Sequence, residues 1–164
     1  TSSVDGSVTI DQLGSDNYAN AVQQAGRGNT IDIDQNGTGN QVASARDGEG
    51  KGAWTWGSNN ELSVAQKGAD NWAYADASHS DSVVSVTQDG KLNNAKVESY
   101  LGSENTLTVS QNGEKHVANV YVNGGIGGGN NEVDVAQTDS LNTANVTVYG
   151  SNNGAYVYQG SGSN

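Results

Sequence analysis

Seven glutamines recur along the chain: Gln12, Gln35, Gln66, Gln88, Gln111, Gln137 and Gln159, at spacings of 23, 31, 22, 23, 26 and 22 residues. The segments SVTIDQLGSDN, NTIDIDQNGTGN, NELSVAQKGADN, SVVSVTQDGKLN, NTLTVSQNGEKH and NEVDVAQTDSLN share one template. Written with Φ for apolar, it is polar-x-Φ-x-Φ-x-Gln-x-Gly-x-x-Asn-x-Ala/Val. Six full units are followed by a half unit, NGAYVYQ. Six residues before each glutamine stand Gly6, Asn29, Asn60, Ser82, Asn105, Asn131 and Asn153. Two residues after it stand Gly14, Gly37, Gly68, Gly90 and Gly113, with Asp139 breaking the set. Five after it stand Asn17, Asn40, Asn71, Asn93 and Asn142, with His116 breaking that set. A repeat of this length marks a chain built from stacked units that bury their apolar faces on each other.

Each unit reads as strand, turn, strand, turn. In VTIDQ apolar and polar residues alternate, the period of a half-buried strand. Glycine marks an arc, and a second alternating run follows, as in NYANAVQ. Two strands of about six residues per unit predict an all-β, two-sided β-solenoid of six and a half rungs, an amyloid-like cross-β stack. A third run per unit, which a three-sided helix needs, is absent, as is any 3.6-residue apolar stripe. The two longer spacings carry Gly48–Gly57 and Asn123–Asn130, both expected in arcs after the second strand. Trp54 and Trp56 would then ride in the long arc. The whole chain, 1–164, reads as a single domain.

Composition alone argues differently. Val, Ile and Leu number only 28 of 164, and the net charge is −11, which is the mark of a disordered chain. The repeat answers the count, because the few apolar residues return to the same inward offsets. Proline, which removes a ladder donor, is absent. Seven Lys+Arg against eighteen Asp+Glu argue against nucleic acid and anionic lipid as direct partners. No apolar run is long enough for a transmembrane helix, so no direct membrane insertion is expected. Without cysteine there is no disulfide, thiolate metal site or cysteine nucleophile. Methionine is absent even at position 1, so the sequence is expected to begin at Thr1 by processing or by choice of fragment, with any signal peptide out of view.

With two strands face to face, Val8, Ile10 and Gln12 point inward against Asn17, Ala19 and Ala21. The next rungs set Ile31, Ile33 and Gln35 against Asn40, Val42 and Ser44, then Leu62, Val64 and Gln66 against Asn71, Ala73 and Ala75. The interior is thin and needs few apolar atoms. Buried amides are costly unless paired. Stacked in register, the seven glutamines and Asn17, Asn40, Asn71, Asn93 and Asn142 are expected to form inward amide ladders. The two end rungs leave unpaired edges, which are templates for another chain. Val4, Val8 and Ile10 at one end, and Ala155, Val157 and Gln159 at the other, are the expected inter-subunit edge.

The unit Ser/Asn-x5-Gln-x-Gly-x-x-Asn-x-Ala resembles the curlin repeat of bacterial curli fibre subunits, over nearly the whole chain. The resemblance implies an extracellular functional amyloid, secreted unfolded and nucleated at the cell surface. It implies self-assembly into a homopolymeric fibre of the biofilm matrix, and partners in a nucleator and an outer-membrane secretion machinery. The family pattern closes the second strand with a further glutamine. Only Gln23 keeps that offset; Arg46, Ala77, Ser99, Val122 and Val148 replace it, so one amide ladder should be weak. The Gly/Asn-rich leader that often precedes the family's repeats is expected to be missing or reduced to Thr1–Gly6.

Other motifs read as parts of the solenoid. Asp32-Ile-Asp34-Gln-Asn36-Gly37 matches the first half of an EF-hand loop, but Ala43 stands where the bidentate Glu should. Asp32 and Asp34 are then outward strand residues, open only to weak Ca²⁺ binding. His79 and His116 sit in different rungs, and His116 takes a corner offset. No Ser–His–Asp arrangement is recoverable, and Gly124–Gly129 lack a phosphate-loop context. The triplets Asn36-Gly-Thr38 and Asn145-Val-Thr147 carry no weight in so Asn/Thr-rich a chain. Trp72, Tyr74, Tyr121, Tyr149, Tyr156 and Tyr158 fall at outward offsets, either as cross-strand packing or as a sticky exterior for bundling and adhesion. No catalytic residue and no cofactor is expected. Two rivals to the fibre subunit are weaker. A monomeric or nucleating surface adhesin or ligand binder needs a regular outward row, and Thr9, Asp32, Ser63, Ser85, Thr108, Asp134, Tyr156 is irregular. A β-helical carbohydrate enzyme needs a unique groove of carboxylates that near-equivalent rungs do not supply.

Overall fold

The computed structural model describes residues 5–43 and 52–160. Every described rung pairs one strand with a return strand. The first holds β1 (Ser7–Ser15), β2 (Tyr18–Ala19) and β3 (Ala21–Gln24). The second holds β4 (Thr30–Thr38), β5 (Gln41–Val42) and β6 (Ala53–Trp56). Then follow β7 (Glu61–Ala69) with β8 (Trp72–Ser78), and β9 (Val83–Lys91) with β10 (Asn94–Leu101). The last rungs are β11 (Thr106–Glu114) with β12 (Val117–Asn123), and β13 (Glu132–Ser140) with β14 (Thr143–Tyr149). The half unit is β15 (Gly154–Gln159). One sheet runs β1-β4-β7-β9-β11-β13-β15, the other β14-β12-β10-β8-β5-β2 with β3 and β6 completing the first two return strands. All pairs are parallel, with equivalent residues of successive rungs facing one another. The chain is the two-sided β-solenoid that its repeat predicts.

Register explains the interior. Inward columns are Val8/Ile31/Leu62/Val84/Leu107/Val133/Ala155 and Ile10/Ile33/Val64/Val86/Val109/Val135/Val157 on the first sheet. Facing them, Ala19/Val42/Ala73/Ala95/Ala118/Ala144 line the return sheet. From Ile31 to Val148 these side chains form one continuous buried cluster. Large against small keeps the two sheets close.

Three expectations need correction. The first strands run nine residues rather than about six, passing through the glycine. At that point φ is positive, and a Cβ on Gly90 would lie 2.0 Å from the Gly113 carbonyl oxygen. The glycine is thus required by the close approach of the next rung. Asp139, with φ 74°, is the last described member of this column.

The insert of the 31-residue spacing does not lie in the arc after the return strand. It interrupts that strand between β5 and β6. Ala53 pairs with Ala21 and Ala75, and Thr55 with Gln23 and Ala77. Ala53 and Thr55 therefore hold the inward positions assigned to Ser44 and Arg46, which lie outside the described residues. Only two residues of the return strand precede the insert, and alternation counted straight through it goes out of phase. Trp54 and Trp56 accordingly belong to a strand, not an arc. The Asn123–Asn130 insert does fall in the arc, after β12 ends at Asn123.

Candidate functional site: the amide columns, the edges and the outer aromatic row

The glutamine column is unbroken. Gln12 Nε2 donates to Gln35 Oε1 (2.6 Å), Gln35 to Gln66 (2.7 Å), Gln66 to Gln88 (2.8 Å), Gln88 to Gln111 (2.8 Å), Gln111 to Gln137 (2.9 Å) and Gln137 to Gln159 (2.8 Å). The second N–H of each amide from Gln35 onward crosses to a return-strand carbonyl: Tyr18, Gln41, Trp72, Asn94, Val117 and Thr143 in turn. Each interior amide therefore spends both hydrogens and its oxygen. The side chains Gln35 to Gln137 are buried, and such groups are tolerable only when fully satisfied.

The corner asparagines work differently. Their oxygens accept mainly from the backbone of the next rung: Asn40 N–H to Asn17, Asn71 N–H to Asn40, Asn93 N–H to Asn71 and His116 N–H to Asn93. Their Nδ2 groups bond carbonyls such as Gly37, Gly68, Gly90 and Gly113. One side-chain pair joins them, Asn71 Nδ2 to Asn40 Oδ1 at 3.0 Å. Buried His116 continues the column: its Nδ1 accepts from Asn142 N–H (3.4 Å) and its Nε2 donates to the Asn112 carbonyl (3.2 Å). Asn142 itself is only half-buried and bonds the Thr138 carbonyl.

A second asparagine column occupies the opposite corner. Asn60 N–H bonds Asn29 Oδ1, Ser82 N–H bonds Asn60, Asn131 N–H bonds Asn105 and Asn153 N–H bonds Asn131. Sequence reasoning aligned these residues without reading them as inward amides. The signal was their constant place six residues before the glutamine. Ser82 breaks the column, and its buried hydroxyl has no partner.

The edges are asymmetric. Val8 and Ile10 on β1 are 47% and 45% exposed, although their column-mates Ile31 and Ile33 are fully buried. Ala155 and Val157 pack on the core from β15 and remain half-exposed. Val4 lies outside the described residues.

Outside, Trp72, Tyr74 and Tyr121 are half-buried, while Tyr149, Tyr156 and Tyr158 are exposed. Burial, reinforced by Asp76 and Glu98, pushes the Tyr74 phenol well above its usual value. Lys96 lies over the Tyr74 ring and pairs with Glu98 at 2.9 Å. Tyr156 donates to Glu132 and Tyr158 to Asp134, both at 2.8 Å, and these bonds raise both phenols. Asp32 and Asp34 are exposed on β4 beside Thr9 and Asp11. His79 meets the Trp56 ring edge at 5.2 Å. The arrangement stacks like rungs along one axis, and among the described residues no three His, Asp or Glu side chains gather into a metal-binding group.

These features define a structural β-solenoid built from amide-laddered rungs. A family model described as the curlin associated repeat matches residues 5–37, 57–90 and 80–113. That is more than half of the chain, and the chain belongs to the curlin-repeat family. The matches leave out 38–56, which includes the insert that splits the second return strand, and the residues after 113. No curated protein and no solved structure matches the chain.

Proposed function

We propose that the chain is the structural subunit of an extracellular, curli-like amyloid fibre, growing head to tail by strand stacking and serving matrix and surface adhesion. It is read as one domain and as a non-enzyme. The observation that carries this reading is the column register at the two edges. Set β15 of one copy under β1 of the next, and Ala155 falls under Val8, Val157 under Ile10 and Gln159 under Gln12. All three inner columns of the first sheet continue, and half-exposed Val8 and Ile10 become covered. The half rung of β15 would be completed by the next copy's Thr1–Asp5, a segment that lies, but for Asp5, outside the described residues. Polarity follows from the ladder: every glutamine donates toward higher residue numbers. A donor edge therefore meets an acceptor edge only in head-to-tail order. A nucleator and an outer-membrane secretion machinery are the further partners that the family suggests. Secretion of the chain unfolded, with ordering on a template edge, suits its charge and low apolar content.

Electron microscopy of purified protein after incubation tests this. Unbranched fibres, with elongation lost on deletion of Asn153–Asn164, are expected. Persistent monomers, or unchanged growth of the deletion variant, would overturn it.

A further inference from the structure

Three tyrosines on the return sheet stand on consecutive rungs. Tyr100 and Tyr121 stack at 6.3 Å between ring centroids, 25° apart in plane, and Tyr121 meets Tyr149 at 6.3 Å in an edge contact. Tyr100 is 52% and Tyr149 71% exposed. The first contact depends on an irregularity. The pairing of β10 with β12 slips between Ser99 and Leu101, so Leu101, not Tyr100, faces Asn123. Such a slip re-aims a side chain, and here the extra residue is the tyrosine that lies on the Tyr121 ring. The other described tyrosines are placed differently: Tyr18 is exposed on β2 with no tyrosine ring against it. Tyr74 is half-buried with its phenol raised, and Tyr156 and Tyr158 are tied to carboxylates. Among the described residues these are the two tyrosine ring pairs in contact.

We propose that Tyr121, with Tyr100 or Tyr149, is an oxidative cross-linking site. The co-reactant is a peroxide acting through a one-electron, peroxidase-class oxidant. Each phenol gives up one electron and one proton, leaving a phenoxyl radical with spin density on its ortho carbons. The two radicals join by an ortho carbon–carbon bond. The ring protons then move to the oxygens, restoring both phenols. Two tyrosines and one hydrogen peroxide thus give one dityrosine and two waters. Rotamer hops of exposed rings, on the picosecond-to-nanosecond scale, bring ortho carbons together. The bond would join rung to rung within one chain and fasten the return sheet against peeling. It does not rest on the fibre reading, since both partners belong to the same chain.

The test is treatment of the ordered protein with peroxidase and hydrogen peroxide, dissolution in formic acid, and peptide mass spectrometry with dityrosine fluorescence. The expected product is a single chain lighter by two hydrogens, with Tyr121 joined to Tyr100 or Tyr149. Tyr121→Phe should lower the intrachain yield several-fold, while the Tyr156→Phe/Tyr158→Phe pair should leave it unchanged. The same reaction in guanidinium should lose the preference for Tyr121. Unchanged yield in Tyr121→Phe, or links made chiefly between chains or through Tyr156 and Tyr158, would overturn the proposal.

Discussion

Gln88→Leu at the middle of the glutamine column puts an apolar side chain of similar size in place of the amide. Three bonds go: from Gln66, to Gln111 and to the Trp72 carbonyl, at 2.8, 2.8 and 2.9 Å. Gln66 keeps its bond to the Gln41 carbonyl but orphans one N–H, and Gln111 Oε1 loses its donor. Both residues are buried. A buried unsatisfied group costs about 1–3 kcal/mol, so the pair should cost about 2–6 kcal/mol. A domain is stable by only about 5–15 kcal/mol, so this loss is large. Gln12→Leu, at the exposed edge, breaks the single bond to Gln35 and orphans only that one oxygen, so it should cost half as much, about 1–3 kcal/mol. Guanidinium unfolding followed by far-UV circular dichroism gives both numbers. Equal losses for the two variants would refute the ladder as a cooperative, buried element.

Other perturbations separate the remaining elements. Gly90→Ala should prevent or strongly slow ordering, because its Cβ would meet the Gly113 carbonyl, whereas Asp139→Ala should order normally; the rise of β-signal with time reads both. Ser82→Asn should raise the free energy of guanidinium unfolding by about 0.5–1.5 kcal/mol, by supplying the missing oxygen of the second asparagine column. Tyr156 and Tyr158 have phenols raised by their bonds to Glu132 and Asp134. Their contribution is therefore full below the ordinary tyrosine value of about 10 and is lost as pH rises through the higher folded values. Tyrosinate absorbance should show three late-titrating phenols, half-buried Tyr74 among them, and Tyr158→Phe should remove one.

Much of this architecture is legible in the sequence because rungs repeat. Alternation around Gln35, Gln66 and Gln88 fixes which residues point inward, and the equal offsets fix the register. The exceptions share one cause, which is that local alternation carries no information about what an insert interrupts. Ser44 and Arg46 continue the pattern of Asn40 and Val42 in sequence, but Ala53 and Thr55 continue it in space, as pairing with Ala21 and Gln23 makes plain. The Asn29–Asn153 column was visible as a constant, yet its direction depends on the arc geometry rather than on strand period. The contact of Tyr100 with Tyr121 depends on a slip in register, which no repeat can announce.

The central claim is that one chain fills successive rungs, so that copies stack end to end rather than residue over identical residue. Spin labelling tests it most directly, since the chain has no cysteine and Thr87 is exposed on β9. Fibres of Thr87→Cys carrying a nitroxide should give the spectrum of isolated labels, because a whole subunit separates one label from the next. A single exchange-narrowed line, as from labels about 4.8 Å apart on paired strands, would contradict it.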